Sequence, residues 1–99
     1  MKEVKVYKIW APWCGPCKML APVFEQVKEE NSDKYDFIEV NADDDDNLPL
    51  IDKLEVRNLP TIVIYDSTSD SVIAKKSGLM SKQEICSMLD DVLSREKEL

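Results

Sequence analysis

Cys14 and Cys17 are the residues of this 99-residue chain whose type and spacing can do chemistry. Two thiols separated by two residues at a strand-to-helix junction close a small disulfide ring with little backbone movement, the pattern of a redox motif. The first then sits at a helix N-terminus, where unpaired N–H groups and the helix dipole stabilise a thiolate. Thiolate is the attacking species in thiol–disulfide exchange. Cys14 would attack a substrate disulfide and form a mixed disulfide. Cys17, one turn inside the helix, would attack that intermediate and release reduced substrate. Read without chemistry, the pair is two small buried thiols that happen to lie close together.

Alternatives to redox chemistry are few. The chain has no His, which removes the commonest metal ligand and the usual general base near neutrality. A zinc site needs about four ligands, and Cys86 cannot complete one with the pair. We therefore expect no metal, and no cofactor beyond a redox-active Cys14–Cys17 disulfide. A stapled secreted domain usually carries an even set of cysteines spread along the chain, whereas this chain has 3, two of them crowded. Cys86 reads as a half-buried structural thiol beside the apolar stripe of the last helix.

The elements that must position the pair follow from pattern. Lys2 to Trp10 reads as a strand, with Val4, Val6, Tyr7, Ile9 and Trp10 supplying β-branched and aromatic content. From Pro16 the pattern turns helical, with Leu20, Val23, Phe24 and Val27 at i, i+3, i+4 and i+7. Pro16 suits the first turn, and Pro22 inside the helix is expected to kink it. Lys34 to Ala42 reads as a strand, Asp43 to Asn47 as a loop, and Leu48 to Leu54 as a short helix. Thr61 to Asp66 and Ser71 to Lys76 read as two strands joined by a turn, forming an antiparallel hairpin. The last helix begins at Ser81, with Glu84 completing a capping box and Ile85, Met88, Leu89 and Val92 facing inward. The order is β-α-β-α-β-β-α: an α/β architecture with one four-stranded mixed sheet flanked by helices, in a single domain spanning residues 1–99.

Composition narrows the partners. The formal charge is −7, from 20 acidic and 13 basic residues, which argues against nucleic acid and against an anionic membrane surface. No apolar run approaches the roughly 18 to 20 residues that span a bilayer. No unbroken apolar stretch near Met1 resembles a secretory signal, so a reducing cytoplasm is the expected compartment. We expect a monomer. Asp43 to Asp46 lacks the central Gly and terminal Glu of a calcium loop and reads as a solvated acidic segment before a helix N-terminus.

Trp10-Ala11-Pro12-Trp13-Cys14-Gly15-Pro16-Cys17-Lys18 resembles the active-site segment of the thioredoxin family, a highly specific motif. Asn58-Leu59-Pro60-Thr61 resembles the family's cis-proline loop, Lys76-Ser77-Gly78-Leu79 its glycine loop, and Pro22 its kink proline. The resemblance runs from Val4 through nearly the whole chain. It implies the thioredoxin-like fold and reduction of protein disulfides, with Cys14 as nucleophile and Cys17 as resolving thiol. It implies a cis Leu59–Pro60 bond facing the Cys pair. It also implies substrate docking on an apolar surface of Trp13, Gly15, Pro16, Leu59, Pro60, Gly78 and Leu79. The implied partners are protein disulfides and a thioredoxin-reductase-like electron donor.

Two departures from the family stand out. The chain starts about a strand and a helix late, a minimal version that leaves Lys34 to Ala42 at a sheet edge, where Asp36 and Glu39 discourage edge pairing. The second is chemical. The family's buried Asp under the Cys pair corresponds to Lys8, and a neighbouring-strand Lys corresponds to Glu39, so the two charges are exchanged. Lys8 shares a strand face with Val4, Val6 and Trp10 and cannot be buried there without a partner. Either Lys8 pairs with Glu39 beneath the Cys pair, with Glu39 relaying a proton and Lys8 favouring thiolate, or its long stem reaches solvent. A disulfide oxidant or isomerase, a redox-idle partner subunit and a soft-metal carrier remain the alternatives to a reductant.

Overall fold

Alternation of inward and outward side chains along one central strand organises the molecule. In the computed structural model, which describes residues 3–98 and side chains as far as residue 93, β1 (Val4–Trp10) sends Val4 and Val6 to one sheet face and Tyr7 and Ile9 to the other. The expected strand began at Lys2, which lies outside the described residues. β1 is followed by α1 (Gly15–Asn31), β2 (Asp36–Asn41), a 3-10 turn (Asp45–Asn47) and α2 (Leu48–Lys53). Then come β3 (Thr61–Asp66), β4 (Ser71–Ser77) and α3 (Lys82–Glu98). The sheet has four strands in the order β2-β1-β3-β4, parallel between β1 and β2 and antiparallel elsewhere. The expected mixed α/β sheet is therefore the observed one, with β2 at an edge.

The first face of the sheet carries the larger core. Leu20, Phe24 and Val27 of α1 and Ile85, Leu89 and Val92 of α3 are buried against Val4, Val6, Ile62 and Ile64. At roughly 1.5–3 kcal/mol per fully buried side chain of this size, that layer fixes where α1 begins and hence where the Cys pair stands. Pro22 lies inside α1, which continues through it to Asn31. Lys82 of α3 pairs with Glu30 of α1 and ties the two helices at the surface. On the second face Tyr7, Ile9, Val40, Leu54, Val63 and Tyr65 pack together under α2.

Several element ends differ by one residue from expectation, as at Gly15, Asn41, Lys53 and Ser77, and two larger differences have identifiable reasons. β2 starts at Asp36 rather than Lys34, because the Tyr35 N–H is drawn to the Asn31 carbonyl at the end of α1 and its buried ring lies in the larger core. Part of the acidic loop is a 3-10 turn, since Asp44 accepts the Asp46 N–H at 3.0 Å and caps it. The capping box at α3 forms as expected: Glu84 N–H donates to Ser81 Oγ at 3.1 Å, and Ser81 N–H donates to Glu84 Oε1 at 3.2 Å.

Candidate active site

The Cys pair forms where β1 hands over to α1. Cys14 has extended backbone (φ −91°, ψ 111°), and its Sγ accepts the Cys17 N–H at 3.2 Å, so a sulfur is the N-cap of the helix. Pro16 occupies the first turn, where its missing N–H leaves no bond unmade. The two cysteines are joined as a disulfide with Cα atoms 5.3 Å apart. Both are buried, in a small cluster with Ala11 against which Trp10, Ala42 and Leu59 pack. Cys86 is free and half-buried, away from this cluster.

Two loops at the same end of the sheet, one entering β3 and one leaving β4, complete the surroundings. The Leu59–Pro60 peptide bond is cis, and Leu59 packs on the Cys cluster. Pro60 in turn accepts the Gly78 N–H at 2.8 Å, which brings the Gly78–Leu79 segment alongside. Gly78 has φ +95°, a conformation a side chain rarely adopts, so glycine at this bend is a backbone requirement. Thr61 anchors the same bend from inside, its Oγ1 donating to the Asn58 carbonyl at 2.5 Å and lying 2.9 Å from Ser77 Oγ. Trp13 and Leu79 are exposed apolar groups at 68% and 51% accessibility, beside buried Pro60 and half-buried Leu59.

One contributor was not evident from the sequence. Trp13 Nε1 donates to Asp43 Oδ1 at 2.8 Å, so a member of the acidic run holds the exposed indole across 30 residues of chain. Asp43 is itself oriented, its N–H donating to Asn41 Oδ1 at 2.9 Å. The only signal available beforehand was an acidic residue shortly after a strand adjacent to β1.

Beneath the pair, pairing replaces the snorkelling alternative for Lys8. Lys8 is only 3% exposed, and its Nζ lies 2.9 Å from Glu39 Oε1. The two residues are direct neighbours in the parallel β1–β2 register. The ammonium also lies 5.2 Å from the Phe24 ring centroid and 5.9 Å from that of Trp10, within cation–π range. Glu39 keeps its side chain 47% exposed, so the pair runs from the interior to the rim. A cavity of about 200 Å³ joins these groups to the redox centre, lined by Lys8, Trp10, Cys17, Lys18, Ala21 and Glu39. Trp10 Nε1 is buried with no hydrogen-bond partner among the described residues.

A capping thiol pair at a strand–helix junction, flanked by a cis-proline loop and a glycine bend, defines a protein that carries out dithiol–disulfide exchange. Comparison with known proteins agrees. The family profile described as Thioredoxin matches residues 1–91. A thioredoxin of Pseudomonas aeruginosa is 37% identical over 81 residues, 82% of this chain and 71% of that protein. A thioredoxin of Acidithiobacillus ferridurans is 34% identical over 84 residues, 85% of this chain and 74% of that protein. The crystal structure of Malassezia sympodialis thioredoxin (Mala s 13) superimposes with a TM-score of 0.77 at 29% identity, over 90% of this chain and 75% of that one. The chain belongs to the thioredoxin family. It is a thioredoxin-type disulfide reductase that works by exchange between a dithiol and a disulfide.

Proposed function

We propose that Cys14 is the attacking thiol, Cys17 the resolving thiol, and the net reaction the reduction of disulfides in protein substrates. The observation that carries this reading is the N-cap: Cys14 Sγ faces the amide of Cys17 at the start of α1, where a negative sulfur is stabilised. Cys14 thiolate attacks one sulfur of the substrate disulfide, forming the Cys14–substrate bond as the substrate's second sulfur leaves as a thiolate. Cys17 then loses its proton and attacks Cys14 Sγ. The mixed disulfide breaks, the Cys14–Cys17 bond forms, and two electrons have passed to the substrate. Glu39, half exposed at the mouth of the cavity, takes up the Cys17 proton and passes it to solvent.

The substrate lies across Trp13, Gly15, Pro16, Leu59, Pro60, Gly78 and Leu79, with the Leu59 backbone pairing to an extended segment in the manner of an added strand. A thioredoxin-reductase-like donor returns the electrons, and the protein works as a monomeric carrier in a reducing cytoplasm, in the balance of cellular thiols. In support, no helix among the described residues is long and apolar enough to cross a membrane. The test is trapping. Cys17→Ser is expected to accumulate a mixed disulfide through Cys14 when mixed with a disulfide-linked peptide, read by mass spectrometry. Cys14→Ser is expected to accumulate none, and the reverse pattern would exchange the two roles.

A further inference from the structure

Of the charged groups around the Cys pair, Lys8 is buried, faces Cys17 across a cavity and has no part in the reaction sequence above. It stands on β1, on the sheet face that carries Val4 and Val6, and it is 3% exposed. A lone ammonium on such a face is costly unless it is paired. Its arrangement is built: a carboxylate at 2.9 Å on one side, and the Phe24 and Trp10 rings at 5.2 and 5.9 Å. The remaining side is the cavity, whose lining also includes Cys17. The other charged groups around that cavity are Lys18, exposed on α1, and Glu39 at the rim on β2. Cys17 belongs to a small apolar cluster with Ala11 and Cys14, against which Trp10, Ala42 and Leu59 pack. Water screens the exposed Lys18 and Glu39 more than it screens the buried Lys8, so the Lys8 field reaches Cys17 less attenuated than theirs, reduced by the Glu39 carboxylate at 2.9 Å.

We propose that Lys8 is a positioning residue whose buried ammonium, held between Glu39 and two aromatic rings, stabilises the Cys17 thiolate across the cavity and so sets both the resolution step and the redox poise. This rests on the assignment of Cys17 as the resolving thiol. Lys8 transfers no proton. The Cys17 proton departs through the cavity, the sulfur's electron pair forms the bond to Cys14, and the substrate leaves as a thiolate that solvent protonates. Stabilising a thiolate favours the dithiol form, so Lys8 makes the protein a weaker reductant than a neutral residue would, and Glu39 offsets part of that effect.

The opposed signs supply the test. Lys8→Met, Glu39→Gln and the exchanged pair Lys8→Glu with Glu39→Lys are each equilibrated with glutathione, and the dithiol fraction is read by thiol trapping at about pH 9, above the ordinary thiol value of about 8.5. Lys8→Met is expected to move the equilibrium on the order of tenfold toward disulfide, about 30 mV. Glu39→Gln is expected to move it in the opposite direction. The exchanged pair retains an ion pair and is expected to shift as Lys8→Met does, with the pH midpoint for resolving a preformed mixed disulfide raised. Shifts of the same sign in Lys8→Met and Glu39→Gln would overturn the proposal, as would values within about twofold of the unchanged protein in all three variants. If the Cys17→Ser trap also fails, the assignment of Cys17 falls too. If the trap succeeds, only the role of Lys8 falls.

Discussion

Glu39→Gln and Lys8→Met remove opposite halves of one ion pair, and their costs to stability are expected to differ sharply. Glu39→Gln leaves an ammonium that is 3% exposed without its anion. At the observed 2.9 Å, Coulomb's law gives between about 1 and 6 kcal/mol as the effective dielectric falls from 80 to 20. The half-exposed carboxylate places the pair toward the watery end of that range. The amide of Gln still accepts one hydrogen bond, and the two rings still face the cation. We therefore expect a loss of about 2 kcal/mol, below the 3–5 typical of breaking a fully buried pair. Lys8→Met removes the desolvated charge together with its partner's attraction and fills similar space with an apolar chain, so it is expected to fall within about 1 kcal/mol of the unchanged protein. The assay is urea unfolding of the oxidised protein, followed by Trp fluorescence, with a thermal melt in parallel. Two kcal/mol corresponds to a fall in Tm of roughly 8–16 °C for a domain of this size. A neutral Glu39→Gln beside a strongly destabilising Lys8→Met would refute the reasoning, because packing of the Lys8 stem would then outweigh its charge.

Asp43→Ala is expected to release the Trp13 indole and lower kcat/KM for a disulfide-linked peptide by about 2- to 13-fold, the equivalent of one net hydrogen bond of 0.5–1.5 kcal/mol. Melts should show little change in stability. Ser81→Ala should cost about 1 kcal/mol through loss of the α3 cap, measured as a Tm lower by roughly 4–8 °C. Glu84's carboxyl is held below its ordinary value of 4.5, first by the hydrogen bond from Lys76 and then by the Ser81 backbone N–H. A depressed carboxyl contributes stability that is fully present above about 4.5 and lost as pH falls through the lowered value. The Tm difference between the unchanged protein and Glu84→Gln should therefore be present at neutral pH and vanish well below 4.5. Leu54→Ala should cost about 2–5 kcal/mol in urea unfolding, because Leu54 is fully buried in the second core.

Local patterns made most of the fold legible. Thr61 to Asp66 is a strand with the expected limits, because its β-branched run is bounded by Pro60 and a turn. Ser81 and Glu84 marked the start of α3 because a capping box is a contact over three residues. The start of β2 was misplaced, since Tyr35 has strand-type residues beside it but is held by the end of α1 and by its phenol donating to the Leu89 carbonyl at 3.4 Å. The site divides in the same way. Cys14, Cys17 and the Leu59–Pro60 loop could be read from short motifs. The Trp13–Asp43 bond could not, because it joins residues 30 apart and one acidic side chain among four looks like its neighbours. The burial of Lys8 lies between these cases. Its strand face showed that it needed a partner, and the register that set Glu39 opposite it follows from the parallel pairing of β1 with β2.

The sulfur of Cys14 is shared between two duties, since the atom that changes partners during turnover also begins the long helix under it. Reduction turns that atom into an acceptor able to carry full charge, and charge-assisted hydrogen bonds are about twice as strong as neutral ones. The first turn of α1 is thus held by a covalent bond in the spent protein and by a charge-assisted hydrogen bond in the electron-loaded one, a built-in mechanical reading of its chemical state. The same sharing governs how the site should be silenced in cells. Serine at 14 removes the reactivity and keeps an acceptor for the Cys17 amide. Alanine removes both, adding about 0.5–2 kcal/mol of helix loss to the phenotype. A serine variant therefore isolates the missing electrons, whereas an alanine variant mixes them with a loosened scaffold.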